Sequence, residues 1–138
     1  VLNREDYITS ICKRLGEAEH VPFKPVSSDG WNPEVAHCHR NVDKWVEANP
    51  GHTAVRGWVT YASFGNSLGL TAHSVVRDAN GRLFDITPLE NEYYRVNMNF
   101  ISHVGDEQTF FAIKNLGICI ACPDNRITHA SSRSTQDS

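Results

Sequence analysis

The sequence predicts an α+β fold, with two N-terminal helices packed on one antiparallel sheet. Three observations carry that expectation. Tyr7, Ile8, Ile11, Cys12 and Leu15 form one apolar stripe at helical spacing, with Lys13, Arg14 and Glu17 opposite it. Val42, Trp45 and Val46 recur at the same spacing, and Cys38 lies one turn before Val42 on the same face. Farther on, Thr71 to Arg77 and Arg82 to Pro88 read as two strands around Asn80-Gly81.

In chain order, residues 4–18 read as the first helix, with Asn3 as cap and Glu5 and Asp6 suited to the first turn. Gly16 weakens its last turn, and Cys12 reads as a small buried hydrophobe on the apolar stripe. Residues 19–31 contain Pro22 and Pro25 and then Ser27-Ser28-Asp29-Gly30, a loop suited to pass over a cleft. Asn32-Pro33-Glu34 is a helix-start signature. A helix begun there would carry Cys38 past the first turn, so a short turn at 33–36 is expected before the main helix. Asn49-Pro50-Gly51 ends that helix.

Residues 53–62 follow as a strand with Val55, Trp58, Val59 and Tyr61, in which Gly57 marks a bulge or a close backbone approach. Residues 63–69 read as a loop, and the hairpin spans 71–87. Tyr93 to Val104 is expected as a further strand or pair of strands, Asp106 to Lys114 as a short helix, and Gly117 to Ala121 as an interior apolar strand. One domain over 1–122 and a polar tail over 123–138 complete the reading.

A chain of 138 residues with 40% apolar and 21% charged residues can bury a core without staples. The net charge of −3 and the absence of a basic stripe, phosphate loop or dinucleotide fingerprint argue against nucleic acids and nucleotides as partners. No apolar run approaches the roughly 20 residues of a membrane helix, so no membrane association is expected. The first residues do not look like a signal peptide, and Cys12, Cys38, Cys119 and Cys122 are few for a disulfide scaffold. The expected location is therefore cytoplasmic, with a secreted or delivered protein left open.

The chemistry concentrates at His37-Cys38-His39. A cysteine near a helix start sits where free backbone N–H groups and the helix dipole favour a thiolate. With His73 on one strand and Asp85 on the next, the order is nucleophile, base and orienting acid. Each residue also has a plainer role: a buried structural cysteine, a packed histidine, a hairpin carboxylate. Asp85 lies between Phe84 and Ile86, where burial would demand a partner. Trp31 reads as packing, Asn41 as a solvent or turn contact, and His20, His52, His103 and His129 as surface residues.

The order Cys38, His73, Asp85 and the block AHSVVRDANGRLFDITP resemble the papain-like cysteine hydrolase superfamily, most closely its transglutaminase-like branch. The likeness covers roughly the middle half of the chain. It implies a cysteine-bearing helix on an antiparallel sheet, with the histidine and aspartate on neighbouring strands. It also implies acyl transfer from a peptide, protein or small amide or ester through a thioester, without a cofactor. A side-chain amide upstream of the cysteine would complete the oxyanion site, and Asn32 is the candidate, against a plain capping role.

Two other readings stand beside this one. The first is a binding module of the same fold with an inert Cys38. The second is a small metal protein using His37, Cys38, His39, Cys119 and Cys122. On a helix, residues 37 and 39 project about 200° apart and cannot share one ion. A second C-x-x-C for a zinc ribbon is missing, so no metal site is expected.

The hairpin register decides whether His73 and Asp85 can meet. A two-residue Asn80-Gly81 loop would put them on opposite faces. A three-residue Ala79-Asn80-Gly81 loop pairs Asp78 with Arg82 and His73 with Thr87, leaving Asp85 diagonal to His73 on one face. That geometry requires positive φ at Gly81 and negative φ at Asn80.

Overall fold

The computed structural model describes residues 3–64, 67–116 and 119–123. Two helices come first, α1 (Arg4–Lys13) and α2 (Cys38–Ala48). Strands β1 (Thr53–Phe64), β2 (Ser67–Arg77), β3 (Leu83–Phe84) and β4 (Phe100–Ser102) follow, then α3 (Glu107–Leu116) and β5 (Cys119–Pro123). The class is α+β, with a five-stranded antiparallel sheet ordered β3-β2-β1-β4 and β5 also on β2. β5 pairs with residues 67–71 of β2, and β3 pairs with residues 76 and 77. Ala72 to Val75 therefore face neither strand along that edge, among the described residues.

Alternation along β1 and β2 divides the core between two faces. On one face Trp58, Leu70 and Ala72 pack with Tyr7 and Ile11 of α1 and Phe110 and Ile113 of α3. Val76 continues this face and packs with Val42, Trp45 and Val46, so α2 lies on the sheet through the three residues its periodicity singled out. Trp31 packs there too. On the other face Val55, Val59 and Val75 meet Val21 of the 19–31 segment, Met98 and Phe100. Helices thus cover one face, and irregular segments cover the other.

Several expectations need correction. The first helix stops at Lys13, and a 3-10 turn covers Leu15–Glu17. β1 and β2 run on to Phe64 and back from Ser67, so most of the expected 63–69 loop is strand. Tyr93 to Val96 is not a strand. Glu92–Asn97 forms a 3-10 helix, capped by the Asn91 side chain on the Tyr93 N–H. Glu92 accepts hydrogen bonds from Arg95 and from the Leu89 N–H, which tightens the turn. Alternation at Val96, Met98 and Phe100 resembled a strand, yet Val96 is exposed while Met98 and Phe100 are buried. β5 lies on the β2 edge and buries Ile120 and Cys122, while Ala121 is exposed.

Cys12 is not a free thiol. It is bonded to Cys122, joining α1 to β5 across 110 positions. His103 is not a solvent side chain either: its Nε2–H donates to the Asp106 carbonyl, and its Nδ1 accepts from Tyr7. His52 accepts from the Trp45 indole. The tail from 124 onward, including His129, lies outside the described residues.

Gly57 is a close-approach position. A Cβ there would lie 2.3 Å from the Ile101 carbonyl oxygen and 2.5 Å from the Phe100 ring. Glycine lets β4 and its aromatic side chain close on β1, which anchors the face behind His73. Among the described residues, no helix is long and apolar enough to cross a membrane.

Candidate active site

Cys38 is the first residue of α2. The turn at 35–36 holds Ala36 at φ +67°, a left-handed conformation that costs a side-chain-bearing residue free energy. Asn41 holds that turn. Its amide oxygen accepts from the Glu34 N–H, and its amide nitrogen donates to the Glu34 carbonyl and to Thr87 Oγ1. Asn41 is thus a buried clamp between the entry to α2 and the Asp-bearing segment, so of its two expected roles the turn contact holds and the solvent contact does not. The first bond inside the helix runs from the Asn41 N–H to the His37 carbonyl. The N–H groups of Cys38, His39 and Arg40 have no partner within the helix and point toward its N-terminal end.

The hairpin adopts the three-residue loop. Val76 pairs with Phe84 and Arg77 with Leu83. The Asp78 N–H donates to the Arg82 carbonyl, and the Gly81 N–H donates to the Asp78 carbonyl. Gly81 has φ +85°, and Asn80 is not among the positive-φ residues. This is the register that keeps Asp85 on the His73 side of the hairpin, and the two side chains meet. Beyond Phe84 the chain pairs instead with the 19–31 segment: the Asp85 N–H donates to the Pro22 carbonyl, and the Lys24 N–H donates to the Asp85 carbonyl.

His73 Nε2–H donates to Asp85 Oδ2 at 2.8 Å, leaving Nδ1 for Cys38. Both residues are buried. Arg95 donates to the same Oδ2 at 2.9 Å and to the Thr87 carbonyl, while Asp85 Oδ1 accepts from the Thr87 N–H. Burial raises the Asp85 pKa, but His73, the Thr87 N–H and Arg95 outweigh it and hold the carboxyl below its usual range. Burial alone would likewise lower the His73 pKa. The Asp85 carboxylate and the Cys38 sulfur reverse this and raise it to about 10.

At Cys38, burial raises the thiol pKa, whereas hydrogen bonds with His39 and His73 and their charges lower it to about 5. The favoured state is therefore a thiolate facing an imidazolium.

His39 is the residue that reading from the sequence missed. Its Nδ1 is 2.5 Å from Ser74 Oγ, and its ring meets Phe110 and Phe111 edge-on. Ser74 Oγ also accepts from Arg56 Nη1 at 2.9 Å, and Arg56 is buried with Asp43 and Glu107 as ion partners. His73 and Ser74 are neighbours in β2 and point to opposite faces. The Cys38 sulfur is thus reached by His73 from one face and by His39 from the helix-covered face.

Cys38, His39 and His73 open onto a cleft of about 650 Å³. Val59, Leu89, Tyr94 and Met98 give it apolar walls, and Lys114 and Glu90 also line it. Asn32 is not brought to this site. The chain reverses tightly between Ser28 and Trp31, with Asp29 and Gly30 at positive φ, and leaves Asn32 exposed and outside the cleft lining. Among the described residues no group of three or more His, Cys, Asp or Glu side chains could hold a metal ion. Comparison of the chain with family models, with curated proteins and with solved structures gives no match in any of the three.

Proposed function

We propose that this protein is a cysteine-dependent acyl-transfer enzyme that works through a thioester on Cys38, with His73 as base and acid and Asp85 as its orienting carboxylate. The observation that carries the reading is the His73–Asp85 bond of 2.8 Å, which leaves His73 Nδ1 to a thiol at the start of a helix beside an open cleft. The Cys38 thiolate attacks the carbonyl carbon, and the carbonyl electron pair moves onto oxygen. Collapse of the tetrahedral species expels the leaving group, which takes its proton from the His73 imidazolium. His73 then removes a proton from the incoming nucleophile, which attacks the thioester, and cleavage of the C–S bond returns the thiolate and the imidazolium.

The likeness to papain-like and transglutaminase-like hydrolases belongs to this proposal and supports the same chemistry. The apolar walls favour a substrate whose acyl part is apolar, carried by a peptide, a protein or a small amide or ester. The expectation of a cytoplasmic location rested partly on four cysteines being few for a disulfide scaffold, and the Cys12–Cys122 bond weakens that ground. A disulfide supports an oxidising location, as for a secreted protein.

The test is alkylation of Cys38 by iodoacetamide near pH 6, followed by mass spectrometry, together with activity-based acylating probes. The proposal expects fast alkylation and a thioester adduct on Cys38, both lost in Cys38→Ala. An unreactive thiol, or full activity in Cys38→Ala, would end it.

A further inference from the structure

The two imidazoles at Cys38 present different nitrogens to it. His73 commits Nε2–H to Asp85 and turns Nδ1 toward the sulfur. His39 commits Nδ1 to Ser74, which leaves Nε2 as its free nitrogen, and it lines the cleft beside Cys38. The direction of the Ser74 bond follows from Arg56. A guanidinium only donates, so Ser74 Oγ is the acceptor in the Arg56 bond. Ser74 is fully buried, and its oxygen has Arg56 and His39 as partners among the described residues. If it accepted from both, its own hydrogen would be left without an acceptor in the interior, which is costly. The economical arrangement passes the donor sense along one line: Arg56 donates to Ser74, Ser74 donates to His39 Nδ1, and the His39 hydrogen sits on Nε2. The edges of Phe110 and Phe111 hold the ring in that orientation.

We propose that His39 is a catalytic residue, the side-chain oxyanion donor of this site, whose Nε2–H bonds the Cys38 sulfur at rest and the carbonyl oxygen as the tetrahedral intermediate forms. The proposal rests on the acyl-transfer reading above. In that intermediate the oxygen is attached to the carbon that is attached to the sulfur, so a donor already on the sulfur has a short shift to make. The Cys38 N–H at the start of α2 is the natural second donor. No proton moves to or from His39: the thiolate supplies the electron pair of the new C–S bond, the carbonyl pair becomes the oxyanion, and His73 carries the proton to the leaving group. His39 thus fills the role that Asn32 cannot reach. Ser74 and Arg56 are positioning residues that fix which His39 nitrogen carries hydrogen.

Two reagents separate this role from general support of the thiolate. Alkylation by iodoacetamide is a displacement at a saturated carbon and forms no oxyanion. Acylation by p-nitrophenyl acetate forms one. In His39→Ala, acylation of Cys38 should fall by about 10²–10³-fold, the range for loss of one oxyanion donor, and alkylation should fall far less. His39→Gln, which keeps an N–H donor, should recover part of the acylation rate.

Nitrogen-15 NMR of the unaltered protein near neutral pH should show hydrogen on Nε2 and none on Nδ1 of His39. Ser74→Ala should mix the two tautomers. Equal losses in the two reactions for His39→Ala, or hydrogen on His39 Nδ1 in the unaltered protein, would overturn the inference. The NMR arm stands even if His39→Ala folds poorly. The unaltered protein keeps the two levels distinct: no reaction at Cys38 with either reagent refutes the enzyme reading, whereas normal reaction with equal losses in the variant refutes only the role of His39.

Discussion

His73 and His39 approach one sulfur from opposite faces of a sheet, and they are backed by opposite charges. Behind His73 stands Asp85, itself held by the buried Arg95. Behind His39 stand Ser74 and the Arg56 guanidinium, whose own carboxylate partners Asp43 and Glu107 are about 60% exposed. An anion behind an imidazole favours its charged form and suits a group that must take and give a proton. A hydroxyl whose oxygen already accepts from a guanidinium has its hydrogen to give to the ring's near nitrogen, which suits a group that must donate a bond from its far one. Two histidines at one cysteine thereby differ in role through what lies one residue farther away.

The largest expected effect comes from breaking the carboxylate-backed side. Asp85→Asn presents an amide where His73 Nε2–H needs an acceptor, and the ring loses both its tautomer and its charge. The turnover loss should approach about 10⁴-fold, the cost of the wrong tautomer in a comparable triad. His73→Ala should lose at least as much. Asp85→Asn also leaves Arg95 with Glu92 alone as its carboxylate partner, so stability should fall by about 3 kcal/mol, at the low end for a broken buried pair.

Breaking the guanidinium-backed side should do less. In Arg56→Met the freed Asp43 and Glu107 face water, so the stability loss should stay at about 1.5 kcal/mol, the low end for hydrogen bonds to charged groups. Turnover should fall without the collapse seen in Asp85→Asn. Chemical denaturation and acylation rates of the two variants check the order, and an equal or reversed order would remove the contrast between the two sides.

Much of the carboxylate side was legible in the sequence. Cys38, His73 and Asp85 are chemically conspicuous, and Asn80-Gly81 narrowed the hairpin to two registers, of which the structure adopts the one that brings the last two together. The other side was not legible, for physical reasons. Ser74 and Arg56 carry no signature in a strand where alternation only says that they face one way. The role of His39 depends on a partner 35 positions away. Arg95 was hidden because alternation at Val96, Met98 and Phe100 imitates a strand, while a local bond network with Glu92 and Asn91 folds the segment into a 3-10 turn. Asn32 looked right by spacing, but the reversal at Ser28–Trp31 turns it outward. Cys12 looked like a core residue because it lies on the apolar stripe of α1, Cys122 stood out only as part of a C-x-x-C, and their pairing needs the α1–β5 contact that the tertiary fold supplies.

A pH titration sharpens the comparison, since the charged pair belongs to the His73 side. The Cys38 pKa is depressed from 9.0 to about 5, and its contribution to stability is lost as pH falls through about 5. The His73 pKa is raised from 6.5 to about 10, and its contribution is lost as pH rises through about 10. Between about 5 and 6.5 the unfolded chain binds one more proton than the folded one, so stability should rise by roughly 1.4 kcal/mol per pH unit. From 6.5 to 9.0 the two states hold equal numbers of protons at these groups, and their contribution should be level. Above 9.0 it should fall, until His73 itself deprotonates near 10. Alkylation of Cys38 should rise with a midpoint near 5 and lose that midpoint in His73→Ala. The high-pH limb of the stability profile should persist in Arg56→Met, because Asp85 and Cys38 hold the His73 proton, whereas the alkylation midpoint should rise, because His39 helps to hold the Cys38 pKa down. A midpoint near the ordinary thiol value in the unaltered protein would contradict the ion pair.

The smallest effect on chemistry should come from the Cys12–Cys122 bond, which serves as a control on both sides. It ties α1 to β5, and neither cysteine lines the cleft. Closing a loop across 110 positions restricts the unfolded chain, so its loss should lower stability by about 2–4 kcal/mol. The folded Cys38 environment rests on the Asn41 clamp, the hairpin register and the two relays, none of which includes either residue. The double variant Cys12→Ala, Cys122→Ala should therefore melt at a lower temperature and still acylate Cys38 at the unaltered rate, with the same alkylation midpoint. A shifted midpoint in a folded double variant would mean that the α1–β5 end of the sheet sets the position of one of the two imidazoles. His39 would be the one to suspect, because its ring rests on Phe110, which packs in the same cluster as Tyr7 and Cys122.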